Sequence, residues 1–332
     1  VAFVLAVDVG GTKLAAGVVD GDARILSRAR VPSPRGTDAE ELYEALIVCC
    51  AAALRGADTL PGDLDGVGVS CGGPMVWPAG EVSPLNMPAW RGFPLRERLL
   101  REFQVEPVRI HNDAVGLAVG EHWKGAGVGT EDLLGLTVST GVGGGLILDG
   151  RLYHGISGNA GHFGHVIVEP DGPPCACGGR GCVEAIAAGP NTVRHALAEG
   201  WQPKEGSDAD GVGLAASAAA GDPLAIGNLQ RAGRAVGIAI ASCAHLLDLQ
   251  MVAIDGGFSQ SGPPFWDALR QAFAAHARME FAAACQIVPG TLGPDAPLLG
   301  AAAFILDADR YGWDVPTFTQ PGSSSIPPPG SR

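Results

Sequence analysis

Short apolar runs alternate with glycine-rich breaks along this chain, and the order of these units predicts most of the fold. Phe3 to Asp8 reads as a buried strand, followed by a turn at Gly10-Gly11-Thr12-Lys13. Leu14 to Val19 returns, Asp20-Gly21-Asp22 turns again, and Arg24 to Val31 alternates as a third strand. Thr37, ahead of the acidic Asp38, Glu40 and Glu41, predicts the N-cap of a helix running to about Leu54. Asp65 to Ser70 is a further strand, closing on Gly72-Gly73-Pro74. A loop with Pro78, Pro84 and Pro88 leads to a helix over Leu95 to Phe103. Val108 to Ile110 then predicts a strand that delivers His111-Asn112-Asp113, with a helix of small residues following to about His122.

The opening pattern then recurs. Leu133 to Val138 is apolar, Thr140-Gly141-Val142-Gly143-Gly144-Gly145 is the glycine turn, and Leu146 to Leu148 returns. Asp149-Gly150 turns into Arg151-Leu152-Tyr153. Any two glycine-rich hairpins look alike, but here the order of the surrounding elements repeats as well, which favours a duplicated domain. A long Ala-rich helix over Pro223 to Leu247 and a strand at Met251 to Ile254 come next. Asp255-Gly256-Gly257, further helices and Leu299-Gly300-Ala301 complete the second half. From about Pro316, Ser323-Ser324-Ser325 and Pro327-Pro328-Pro329 read as a disordered tail over 316–332.

Composition narrows the class. A chain of 332 residues suits roughly two domains of ~150 residues. With 46% hydrophobic and 17% charged residues it is globular and not disordered. Its 22 basic and 35 acidic residues sum to −13, which argues against a polyanion as the main partner, so no nucleic acid is expected. The 50 Gly and 25 Pro follow no three-residue period, which excludes collagen. The longest apolar stretch, Ala235 to Gly257, is interrupted by His245 and Asp248, so no membrane span is expected. The first residues lack a basic region and run straight into Asp8, as a buried strand does and a signal peptide does not. A cytoplasmic protein is expected, and its eight Cys are read as thiols or metal ligands.

Four groups of residues carry chemistry. A glycine turn between strands lets consecutive backbone N–H groups converge on an anion. Asp8 and Lys13 flank the first turn, and Ser139 and Thr140 open the second. An acid beside such a turn can hold Mg²⁺ through water, although neither turn matches the P-loop spacing. His111-Asn112-Asp113 ends a strand, where α/β folds place ligand sites. Asp113 there can accept a hydroxyl proton and Asn112 can bond a polyol, while the plainer reading is an Asn-Asp cap on the next helix. Cys175, Cys177 and Cys182, with His165 upstream, make a Cys₃His set suited to structural Zn²⁺, against the alternative of buried reduced thiols. Spacing leaves His154 and His162 open as the fourth ligand. His162, His165 and Glu184 lie around this knuckle, where a bound ion would fix their direction. The alternative is that each is a polar surface residue.

Together these residues resemble the ROK family of sugar kinases, within the actin-like ATPase and hexokinase superfamily. The resemblance covers roughly residues 3 to 310. It rests on Asp8-Val9-Gly10-Gly11-Thr12-Lys13, His111-Asn112-Asp113, Ser139 to Gly145, Gly161-His162-Phe163-Gly164-His165 and the Cys175 to Glu184 segment. It implies an α/β fold of two actin-like ATPase (ribonuclease H-like) domains with an interdomain cleft and a zinc knuckle over 165–184. The first domain would span 1–115, completed by a helix near 301–312, and the second 116–300. It implies ATP with Mg²⁺, transfer of the γ-phosphoryl group to the C6 hydroxyl of a hexose, and a homodimer. Asp113 would be the general base. Gly73, Asn112, Asp113, His162, His165 and Glu184 would contact the sugar. Asp8, Gly10, Gly11, Thr12 and Lys13, with Thr140, Gly141, Gly143 and Gly144, would form the phosphate loops, and Gly256 and Gly257 the adenosine side. Zn²⁺ would rest on His165, Cys175, Cys177 and Cys182. The role of Cys49, Cys50, Cys71, Cys243 and Cys285 is left open, with burial as small apolar residues the plain default.

Three departures from the family pattern matter. Asp255 replaces an apolar or Gly residue. His162 stands where ROK glucokinases carry Glu and where bacterial N-acetylmannosamine kinases carry His. A neutral imidazole both donates and accepts, which suits an acetamido group. Ser70-Cys71-Gly72-Gly73 is similar to the small-residue stretch of the same kinases. The expectation therefore leans to N-acetylmannosamine, with glucose as the alternative substrate. A ROK repressor would carry a helix-turn-helix domain ahead of Asp8 and a basic face, neither of which is expected here. A sugar-binding module without catalysis would lose Asp113 or a phosphate loop, and both are present.

Overall fold

The structure is a computed structural model. It describes residues 2–34, 36, 38–204, 206 and 208–313. The expected N-cap Thr37 and the expected tail over 316–332 lie outside these residues.

The short apolar runs become strands, and the first glycine turn lies where the chain leaves a sheet, whereas Gly143 to Gly145 fall within a strand. In the first half, β1 (Phe3–Val9), β2 (Lys13–Asp20) and β3 (Ile25–Pro32) form an antiparallel meander. After α1 (Ala39–Gly56), β4 (Gly66–Cys71) adds parallel to β1. The small ribbon of β5 (Met75–Val76) and β6 (Glu81–Val82) and then α2 (Leu95–Phe103) precede β7 (Val108–Asn112), which pairs parallel to β4. The sheet order is β3-β2-β1-β4-β7. Burial explains the patterns: β4 is buried on both faces and reads as a continuous small-apolar run, whereas outer β3 alternates. Asp38 caps α1, its carboxylate accepting from the Glu40 and Glu41 N–H groups.

The second half repeats this plan. After α3 (Asp113–Lys124), β8 (Leu133–Val138), β9 (Val142–Leu148) and β10 (Arg151–Leu152) form the antiparallel part. The helices α4 (Val183–Ala187), α5 (Gly189–Ala198), α6 (Gly211–Ala219) and α7 (Pro223–Leu247) lead to β11 (Met251–Asp255). α8 (Pro263–His276) and α9 (Glu280–Ala283) lead to β12 (Gln286–Pro289). The order β10-β9-β8-β11-β12 matches the first sheet strand for strand, including two parallel neighbours after an antiparallel meander. This is a mixed-sheet α/β architecture, consistent with the actin-like ATPase fold. No helix among the described residues is long and apolar enough to cross a membrane.

Between the sheets lie α3 and α10 (Ala296–Leu306), followed by the short α11 (Ala308–Tyr311). α10 packs on β1 and β4 of the first sheet, α3 packs on β8 and β9 of the second, and the two helices cross each other. Their apolar faces fill the space with Val115, Val119, Phe304 and Leu298. The crossing is close enough that a methyl group on Gly300 would overlap the Gly116 carbonyl, and one on Gly120 would overlap that of Ala296. Glycine is required here for space.

This contact gives a matched pair of substitutions. Gly227, in α7, has nothing within 4 Å of an added methyl, so Gly227→Ala should raise stability by about 0.5–1 kcal/mol through helix propensity. Gly300→Ala gains the same propensity but must push α3 and α10 apart, and should lose roughly 1–3 kcal/mol net. Chemical denaturation of both variants checks the difference.

Candidate functional site

The carboxyl ends of the central parallel strands deliver the candidate residues. Asp8 lies near the end of β1 opposite Ser70, and Asn112 ends β7 opposite Cys71. In the second sheet Thr137 near the end of β8 pairs with Asp255 at the end of β11. Strand ends in such sheets open onto a crevice, and these positions lie at the strand ends of the two sheets.

The first glycine turn is held from a distance. Gly10 N–H donates to Lys13 O at 3.1 Å across its mouth. Ser33, just past β3, donates its hydroxyl to Gly10 O at 2.6 Å and its backbone N–H to Thr12 O at 3.1 Å. With these carbonyls occupied on the sheet side, the exposed Thr12 and Lys13 project from the turn. Asp8 is buried beneath it. Loss of hydration, reinforced by the nearby Asp113 carboxylate, raises its pKa to about 7, although Lys13 and Arg30 pull it down.

Asn112 and Asp113 perform the capping that the spacing suggests, without using up their polar atoms. Asn112 Oδ1 accepts from Ala114 N–H at 3.0 Å, and Asp113 Oδ1 accepts from the same N–H at 2.8 Å. Asn112 Nδ2 is left beside Gly73, 3.1 Å from where a methyl group would stand. Asp113 Oδ2 is left facing Gly72, at 4.0 Å by the same measure. Burial raises the Asp113 pKa above the usual carboxylate range, which its helix N–H bonds oppose. A proton acceptor of raised basicity at a strand end is suited to general-base work.

The second turn is tighter than the sequence suggests. Only Ser139 to Gly141 turn, closed by Ser139 N–H to Gly141 O at 2.9 Å, and Gly143, Gly144 and Gly145 continue as strand β9. Their lack of side chains serves packing: a methyl on Gly143 would come within 2.7 Å of Ala114 Cβ, and one on Gly145 within 2.8 Å of Ala118 Cβ. Thr140 is exposed at the tip. Glu184, the second residue of α4, is fastened to this turn, its Oε2 accepting from Val142 N–H at 3.0 Å. Gly256, at φ 101°, approaches Val138, and Gly257 lies beside Ser139 Oγ, so the Gly256-Gly257 pair abuts the turn. Asp255 uses Oδ1 to accept from Gly256 N–H at 2.6 Å, while its Oδ2 is buried without a partner.

His162 and His165 complete the set. They stack at 6.0 Å between ring centroids. Desolvation and the neighbouring His165 lower the His162 pKa, while the Asp113 and Glu184 carboxylates pull it back up. Asp8, Asp113, His162 and Glu184 thus form a continuous electrostatic group joining both sheets. His165 turns Nδ1 toward Cys175 Sγ at 3.7 Å, and Cys177 and Cys182 sulfurs are 3.8 Å apart. All four ligand atoms lie within 4.8 Å of one another. A tetrahedral ion with ~2.3 Å bonds to sulfur places its ligands ~3.8 Å apart, so this donor set fits one. Gly181, at φ 66°, makes the knuckle close, because any side chain there would overlap the Glu169 carbonyl.

Two residues at the site carried no motif signal. Ser33 is separated from the turn it fastens by a whole hairpin. Asn86, in the proline-rich loop, lies 2.5 Å from the methyl position of Gly11 and 3.7 Å from that of Gly72, and so stands between the first turn and Gly72. Their roles follow from loop closure and not from any local pattern.

Residues 4–308 match the ROK family. The chain belongs to it. Glucokinase of Halalkalibacterium halodurans is 32% identical over 304 residues, covering 89% of this chain and 92% of that protein. N-acetylmannosamine kinase of Citrobacter koseri is 38% identical over 252 residues, covering 76% and 82%. A crystal structure of a ROK family glucokinase from Streptomyces griseus, in complex with glucose and AMPPNP, superposes with a TM-score of 0.78 at 33% identity. It covers 92% of this chain and 99% of that one.

The Asp8 environment gives a stability signature for the ligand-free protein. Its pKa is raised from 3.8 to about 7, so the folded state holds this proton more tightly than the unfolded chain. Stability from this group is full below the unfolded value and is lost as pH rises through about 7. Asp8→Asn should therefore be more stable than the parent at pH 8, with the gap closing near pH 4. Urea denaturation at the two pH values reads it.

Proposed function

We propose that this protein is an ATP-dependent kinase that transfers the γ-phosphoryl group to the C6 hydroxyl of a hexose. The observation that carries the reading is Asp113: a raised-pKa carboxylate at the end of β7, with Oδ2 turned to Gly72, flanked by Asn112 and by His162 from the other half. The relatives named glucokinase and N-acetylmannosamine kinase support the same class. The halves 1–115, completed by the chain near 301–312, and 116–300 act as domains that close on the sugar.

In this mechanism Asn112 Nδ2, His162, His165 Nε2 and Glu184 orient the sugar ring, and Asp113 Oδ2 accepts the proton of the C6 hydroxyl. The sugar oxygen bonds to the γ-phosphorus as the bond from that phosphorus to the β-bridging oxygen breaks, and ADP takes the bonding electrons. Backbone N–H groups of Gly11 and Thr12 in the first turn and of Thr140 and Gly141 in the second bind the phosphates. Gly256 and Gly257 flank the adenosine side. Asp8 would hold Mg²⁺, which would supply charge neutralisation on the phosphates. Most of the rate acceleration is then positioning and electrostatics. His165, Cys175, Cys177 and Cys182 would hold a structural Zn²⁺, which would steady the knuckle from which His165 and Glu184 reach the site.

The His162 imidazole favours an N-acylated hexose such as N-acetylmannosamine. Glucose is the second reading, carried by the 92% coverage of the glucokinase relative.

Asp113→Asn should lower kcat by ~10²–10⁴ with hexose binding largely retained, measured by coupled kinase assay and calorimetry. The parent's kcat/KM should fall on the acid side, because only ionised Asp113 accepts the proton. The midpoint should lie above the usual carboxylate pKa of about 4. Ranking glucose, mannose, N-acetylglucosamine and N-acetylmannosamine by kcat/KM, for the parent and His162→Glu, tests the selector. An unchanged ranking removes His162 from that role. Metal analysis of protein purified without added metal should find about one zinc per chain.

A further inference from the structure

The residue preceding Asn112 belongs to a buried ring cluster that the reaction scheme does not use. His111 is fully buried, and burial lowers its pKa to about 3, so its ring is neutral. Asn112 N–H donates to His111 Nδ1 at 2.9 Å. A neutral imidazole whose Nδ1 accepts must carry its proton on Nε2. That proton points at His154 Nδ1, 3.2 Å away. His154 is then the acceptor, and its own ring makes a hydrogen bond with the Gly312 backbone. The tautomers of both rings follow from a single backbone N–H.

The ring cluster joins separate segments of the fold. His154 follows β10 at the edge of the second sheet, whereas His111 is in β7 of the first. Trp77, next to β5, stacks on His154 at 5.0 Å between centroids, and Trp313 meets the edge of both His rings at 5.2 and 5.4 Å. His154 also opens the loop that ends at His162, and its carbonyl accepts from Ala160 N–H at 3.1 Å. Gly158 in that loop lies directly against the Trp77 ring.

We propose that His154 is a positioning residue for the sugar site: through His111 it fixes the Asn112 peptide, and through its own loop it holds His162 in register with Asn112 and Asp113. This rests on the kinase reading. The hydrogen bond, and not the packing of the ring, is the working element. Neither His touches the substrate.

Two variants separate these contributions. His154→Phe keeps the ring between Trp77 and Trp313 but removes the acceptor. His154→Asn loses the ring yet places Oδ1 where Nδ1 stood. The KM for the hexose should rise about tenfold in His154→Phe, the scale of a lost buried hydrogen bond, with the KM for ATP unchanged. It should recover most of the way in His154→Asn. The opposite order, with Phe near the parent and Asn impaired, would show a packing role and overturn the proposal. Long-range ¹H–¹⁵N NMR of the parent's histidine rings reads the pair without turnover. It should show His111 protonated on Nε2 alone, and protonation on Nδ1 overturns the proposal even if both variants fail to fold. A parent inactive on every hexose but with this tautomer would instead count against the kinase reading.

Discussion

The contact between α3 and α10 holds the two sheets at a close, fixed spacing. α10 comes from the end of the chain and covers the first sheet, α3 covers the second, and the two touch through glycine at Gly116, Gly120 and Gly300. Side chains at those positions would separate the sheets. The same α3 begins at Asp113, so the close crossing also decides how far the proposed base lies from the turns on either side. Gly143 and Gly145 extend the same economy of space to β9, whose backbone rests directly on Ala114 and Ala118 of α3.

Around that crossing, residues serve fold and site together. Asn112 and Asp113 each spend one oxygen on the first turn of α3 and keep the other polar atom for the crevice. Glu184 fastens α4 to the second turn through Val142 N–H, which couples the Cys-rich knuckle to the backbone of that turn. The cost of gathering carboxylates under a turn appears at Asp8, whose proton is held to about pH 7 by burial and by Asp113. A cation or phosphate-bound magnesium at that point would relieve it, which is the electrostatic logic expected of a nucleotide site.

Much of this was legible in the chain. The strand–turn–strand units, the Ala-rich Pro223–Leu247 helix and the Leu95–Phe103 helix after the proline-rich loop stand where the sequence places them. The Cys175-x-Cys177 spacing with Cys182 announced its cluster, because ligands so close in sequence have few ways to fold apart. Other features depend on closure between distant segments and leave no local trace. Ser33 reaches Gly10 and Thr12 across a hairpin, Asn86 reaches Gly11 and Gly72 from a proline-rich loop, and His154 finds His111 across the two sheets. The glycines of the second turn misled for a related reason. A glycine run reads as a turn by propensity, but here Gly143 to Gly145 are strand residues kept small by the helix behind them.

The most direct test of the central claim is a crystal structure with a non-hydrolysable ATP analogue and the preferred hexose bound together. The account predicts the hexose O6 within hydrogen-bond reach of Asp113 Oδ2, roughly 2.6–3.2 Å, and the triphosphate along the backbone of Gly10 to Lys13 and Thr140 to Gly141. A hexose seated with O6 away from Asp113, or a triphosphate bound outside those two turns, would contradict it.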